Sequence, residues 1–150
     1  MPRIAALLGM LVLGTLTLGA QAPARQGAGE PKATWYFYTV KWGFQDEFLD
    51  LFQRNHYPLL KAREKAGQYR SVRTFVPEFH GDGRADWTFA VELVAPPNAP
   101  ATPTNEELIA RMYPDRAKFD REEQRRFEIL VAHWDVPLNR IDFDTRKPTR

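Results

Sequence analysis

Apolar and polar positions alternate in two different periods along this chain, and the switches between them mark out its elements. Ala33 to Lys41 (ATWYFYTVK) is built from strand formers. Successive side chains of a strand point to opposite faces, which puts Trp35 and Phe37 on one side and Tyr36, Tyr38 and Val40 on the other. A strand apolar on both faces is buried on both. From Phe44 the period lengthens. Phe44, Phe48, Leu51, Phe52, Asn55 and Leu59 recur at helical spacing and predict a helix that runs to Gly67. Pro58 lacks an amide hydrogen and clashes with the carbonyl of Arg54, so a kink or break is expected near Tyr57. Gly67, just after Lys61, Arg63 and Lys65, reads as a helix stop.

The two-residue period returns in Tyr69 to Phe79 and in Trp87 to Val94. The intervening HGDGRAD is a turn, so the two segments predict a hairpin, with Pro77 favouring an edge or a bulge. Ala95 to Pro103 is a proline-rich loop. A second helix begins at Thr104, where Thr104 and Glu107 have capping-box spacing, and Pro114 divides it. Its second piece, from Asp115, is expected to turn Phe119, Phe127 and Leu130 inward. REEQRR at 121 to 126 is read as a solvated face, with Arg116–Asp120 and Glu122–Arg126 as pairs four apart. Val131 to Pro137 is the last strand, and residues 139–150 form a polar tail with Ile141 and Phe143 as packing points.

The N-terminus has a different grammar. Arg3, the apolar run Ile4 to Leu18 and the small-x-small Ala20-Gln21-Ala22 read as a secretory signal peptide, residues 1–22. The run is short for a membrane span, which needs about 20 apolar residues. A disordered leader is expected over 23–33, the folded domain over 34–138 and the tail over 139–150. The expected destination is the periplasm or medium, with no membrane association after cleavage. Losing Arg3 takes the formal charge from +2 to +1, which argues against a nucleic-acid partner. The chain has no cysteine, so stability rests on packing and on assembly.

The order β-α-β-β-α-β is the ferredoxin-like split motif. With Tyr38, Phe44, Phe48, the His56-x-Pro58-Leu59 step and Gly67, residues 34 to 95 resemble the dimeric α+β barrel superfamily, in particular EthD-like and NIPSNAP-like domains; the remainder agrees in element order. The resemblance implies an α+β fold: a four-stranded antiparallel sheet with two helices on one face. The bare face would pair with a second copy to close the barrel. It also implies a pocket between sheet and helices, in a superfamily that includes cofactor-free oxygenases, cyclases and haem-binding enzymes.

Against that background the chain is expected to be an exported homodimer that takes a small apolar or aromatic compound. The alternatives are a cofactor-independent oxygenase or cyclase with His56 as general base, and a haem-handling protein using His56 or His133. His133 and Asp135, two apart on a strand, share a face. Tyr36, Tyr38 and Trp87 are candidates for an aromatic lining, and Arg73 for a contact to a ligand carboxylate beside Tyr36 or Tyr38. His80 lies in the hairpin turn without an assigned role. No third ligand stands at metal spacing from His133 and Asp135, and no P-loop, GxSxG, HExxH or dinucleotide fingerprint is present.

Overall fold

The computed structural model describes residues 29–78 and 87–145. Strand β1 (Lys32–Val40) is followed by α1 (Gln45–Leu51), a π-helical turn (Phe52–His56) and α2 (Tyr57–Lys65). Then come β2 (Ser71–Phe75), β3 (Phe89–Ala95), α3 (Asn105–Met112), α4 (Arg116–Glu128) and β4 (Leu130–Leu138). The sheet order is β2-β3-β1-β4 and every pairing is antiparallel. This is the ferredoxin-like α+β arrangement expected from the element order. The expected signal peptide and most of the leader lie outside the described residues, as does His80.

β1 is central because it can be buried on both faces. Tyr36 and Tyr38 face the helices, where Phe89 and Val91 of β3 stand opposite Tyr38 and Tyr36. The core on this side joins Tyr38, Phe48, Phe52, Leu60, Val91 and Ile129, with their neighbours, in one cluster. A smaller cluster of Leu59, Leu108 and Phe119 ties α2 to α3 and α4. On the other face Trp35 stacks on Phe37 and Phe75, and Phe37 on Trp134. Ala90, opposite both Phe37 and Phe75, is wholly covered by this layer.

Helix boundaries follow local chemistry. Gly43 and Gly67 both adopt a φ of 81°, the left-handed region that costs glycine little. At Gly67 the amide of Gly67 donates to Glu64 and that of Gln68 to Arg63, the two bonds of a Schellman stop. The Thr104–Glu107 capping box forms with both of its hydrogen bonds. β2 ends at Phe75, ahead of Pro77, and lies at the sheet edge.

Three expectations are corrected. Pro58 does not break the first helix; the chain widens into a π turn just before it, and Tyr57 donates to Phe52, five residues back. Phe127 is 55% exposed, whereas Arg126 is 2% exposed, so the expected solvated face of α4 in fact buries an arginine. Counting from Phe119, seven residues returns a helix to the same face and eight overshoots it, which places Arg126 inward rather than Phe127. Ile141 and Phe143 of the tail are 60% and 77% exposed and do not pack on the domain.

Candidate functional site

The π turn is where the helical layer meets a side chain from its far end. Pro58 cannot donate to Arg54, so that carbonyl needs another partner. Tyr113, just after α3, shares its hydroxyl between this carbonyl and the next: it is 2.7 Å from the Asn55 carbonyl and 3.1 Å from that of Arg54. The Asn55 side chain, buried, donates to Glu122 at 2.9 Å. π turns inside α-helices often accompany functional sites because they re-aim side chains. Here the re-aimed residue is His56.

His56 is partly exposed, with Nδ1 3.7 Å from Glu123 Oε2. Glu123 also takes a bidentate pair from Arg126, Nε at 3.0 Å and Nη2 at 2.7 Å. The Arg126 guanidinium lies over the rings of Phe127, Phe52 and Phe48. Burial alone would push the Glu123 carboxyl up, but His56 and Arg126 outweigh it and hold the group down at about 2. The imidazole of His56 therefore has an ionised carboxylate behind it.

A cavity of about 150 Å³ opens between α2 and the sheet. Its polar lining is Tyr36, Tyr38, His56, Arg63, Tyr69 and Asn105, and Leu59, Leu60, Val91 and Leu93 are its apolar walls. Burial pushes the Tyr38 hydroxyl up to about 12 and also raises that of Tyr36, to which Tyr69 and Asp135 add. Both phenols are therefore neutral donors at ordinary pH. No hydrogen bond engages the hydroxyls of Tyr36, Tyr38 or Tyr69 among the described residues.

Beside this cavity, His133 and Asp135 share the helix-side face, paired in register with Tyr38 and Tyr36. The His133 ring lies flat on Tyr38, 4.4 Å between centroids, and Nε2 is 3.3 Å from Asp135. Burial lowers the His133 pKa, opposed by Asp135 and assisted by the charges of Arg126 and His56. The geometry thus brings Tyr36, Tyr38, His56, His133 and Asp135 to one side of the sheet.

Two predicted site residues lie elsewhere. Arg73 is on the opposite face, paired with Glu92 at 3.4 Å, on a strand that does not neighbour β1. Trp87 lies edge-on to Phe37 on that same open face. The third strand starts at Phe89 rather than at Trp87, so strand alternation does not govern where Trp87 points. Arg63, Tyr69, Asn105, Tyr113, Glu123 and Arg126 were not singled out by the sequence as site residues. Arg126 could have been found from its seven-residue spacing to Phe119; Arg63 and Asn105 come from separate helices and carry no joint signal. Among the described residues no group of three or more His, Asp or Glu side chains could hold a metal ion.

No family model matches the sequence. No curated protein matches it either. Solved structures do. An EthD family protein from Bacillus halodurans C-125 is 12% identical, with 75% of this chain and 100% of that one covered at a TM-score of 0.42. A NIPSNAP family protein from Agrobacterium tumefaciens C58 is 13% identical, with 81% and 100% covered at 0.45. A dimeric protein of unknown function and ferredoxin-like fold from Bacteroides fragilis is 8% identical, with 72% and 94% covered at 0.40. The strand order and helix placement of this chain are those of a ferredoxin-like α+β protein, and its likeness to EthD-like and NIPSNAP-like proteins is one of fold.

Proposed function

We propose that this protein binds a small aromatic or apolar molecule in the cavity between α2 and the sheet. The observation that carries this reading is the lining itself: phenol hydroxyls without hydrogen-bond partners among the described residues, in a space walled by leucine and valine. Pockets for drug-sized ligands are roughly 300–1,000 Å³. A cavity of about 150 Å³ suits a single-ring compound and is too small for a haem macrocycle. A thermal-shift screen of single-ring aromatic compounds tests the reading. Hits should raise the melting temperature in a concentration-dependent way; a screen without hits at millimolar concentration counts against it.

One observation favours a second reading, a cofactor-independent enzyme with His56 as general base. Glu123 stands behind the imidazole and is held ionised, the arrangement that orients a histidine for proton transfer. In that case His56→Gln abolishes turnover of a bound compound while leaving its affinity intact.

The open sheet face supports a homodimer. Trp35, Phe37, Phe75, Trp87 and Trp134 form an aromatic layer that no helix of the described chain covers. The basic n-region, apolar run and Ala20-Gln21-Ala22 support export, and N-terminal sequencing of the exported protein should begin at Pro23.

A further inference from the structure

Arg63 sets the charge of the cavity. It is partly buried in the last turn of α2 and lines the space beneath the tyrosines. Its Nε donates to Gln68 Oε1 at 2.5 Å and its Nη1 to Asn105 Oδ1 at 3.2 Å, both neutral amides. Its guanidinium lies over the Tyr69 ring at 5.2 Å. Gln68 is itself buried and anchored to the Pro103 carbonyl, so the guanidinium is held in place from below.

The other described arginines divide into two groups. Arg54, Arg73, Arg116, Arg125, Arg126 and Arg140 each meet a carboxylate. Arg70, Arg111 and Arg121 are exposed to water. Arg63 alone among the described arginines is partly buried, fixed by hydrogen bonds and without a carboxylate partner. Among the carboxylates of the helix-side face, Glu123 pairs with Arg126 and His56 and Asp135 with His133, and Glu64, next in the chain, pairs with Lys61.

We propose that the ligand of this cavity is a small organic acid, a single-ring aromatic carboxylate whose anionic end lies against Arg63. The inference rests on the binding reading above and specifies its chemistry. A guanidinium carries five N–H donors in one plane, and the two that Gln68 and Asn105 take leave others for a carboxylate fork. The amide nitrogen of Asn105, whose oxygen faces Arg63, has no acceptor among the described residues and adds a donor at the same place. The hydroxyls of Tyr36 and Tyr69 belong to the same lining. The leucine and valine walls take the ring.

Calorimetric titration of the full chain with acid and amide pairs tests this: benzoate with benzamide, phenylacetate with phenylacetamide, 4-hydroxybenzoate with 4-hydroxybenzamide. The acid of at least one pair should bind about tenfold to a hundredfold more tightly than its amide, the range of a charge-assisted hydrogen bond. Arg63→Met should erase that preference, Arg63→Lys should reduce it, and Arg73→Met should leave it unchanged. Because Arg63→Met also loses packing on Tyr69, its melting curve is recorded alongside; if it does not fold, Arg63→Lys decides the matter, and a preference as strong as that of the unaltered protein overturns the proposal. Equal affinity for acid and amide, or a preference that survives Arg63→Met, overturns the acid assignment and leaves the cavity reading standing. Binding of none of the six overturns both.

Discussion

The two faces of the sheet are both aromatic, yet they differ in what their rings carry at the tip. The helix side presents Tyr36, Tyr38 and His133, rings ending in a hydroxyl or a titratable nitrogen. The open side presents Trp35, Phe37, Phe75, Trp87 and Trp134, rings packed against one another by stacked and edge-on contacts, with the Arg73–Glu92 pair on the same face. β1 supplies residues to both sets, Tyr36 and Tyr38 to one and Trp35 and Phe37 to the other, because a strand sends alternate residues to opposite sides. The polar tips belong with a cavity, where a hydroxyl can meet a ligand. The open-face rings suit the homodimer proposed above, since a contiguous aromatic patch of that kind marks an association surface. On the function proposed above, the division separates a binding face from an assembly face within a single layer of backbone.

Charging the open face should have the largest effect. Trp134→Lys should turn a dimer into a monomer at micromolar concentration, with light scattering giving half the mass of the unaltered protein. Truncating a central interface aromatic costs about 2 kcal/mol or more of association, and a buried unpaired lysine adds to it. A chain already monomeric before substitution would remove the assembly half of the comparison.

On the helix side, Glu123→Gln leaves the Arg126 charge buried without its partner. Urea unfolding should show a loss of about 3–5 kcal/mol. The same pair predicts an acid limb. The Glu123 carboxyl is held at about 2 against an ordinary 4.5, so folding favours its ionised form. That contribution is complete above pH 4.5 and is lost as pH falls through about 2. Unfolding free energy should drop by roughly 3 kcal/mol across this window, and Glu123→Gln should flatten that part of the profile. The smallest effect is that of Tyr113→Phe. It removes the hydroxyl that donates to the Asn55 carbonyl and stands beside that of Arg54, and should cost about 1 kcal/mol.

Much of this architecture was legible in residue order. Alternation in ATWYFYTVK told Trp35 and Phe37 from Tyr36 and Tyr38. The glycine stop at Gly67 and the Thr104–Glu107 box marked helix ends through short-range chemistry that needs no tertiary context. His56 stood out in the sequence through the His-x-Pro-Leu step, and it is part of the cavity lining. What escaped depended on contacts between distant elements. Pro58 predicted a lost hydrogen bond, but the π turn and the rescue by Tyr113 depend on how α3 meets the first helix. Arg126 was read as solvated because burying an arginine is costly, and the pair with Glu123 that offsets the cost is visible only in three dimensions. Arg73 was expected beside Tyr36 or Tyr38, but the topology puts it on the opposite face, and the arginine that lines the cavity is Arg63, which reaches it from a helix.

Ala90 and Val91 are adjacent residues of β3 on opposite faces, and both are buried. Their methyl groups therefore report separately on the assembly layer and on the cavity. Methyl NMR of the full chain, titrated with 4-hydroxybenzoate, addresses the division of the faces most directly. The Val91 and Leu93 methyl resonances should move with a saturable dependence while that of Ala90 stays in place. Movement of Ala90 with Val91 and Leu93 unmoved would put binding on the open face and contradict the account.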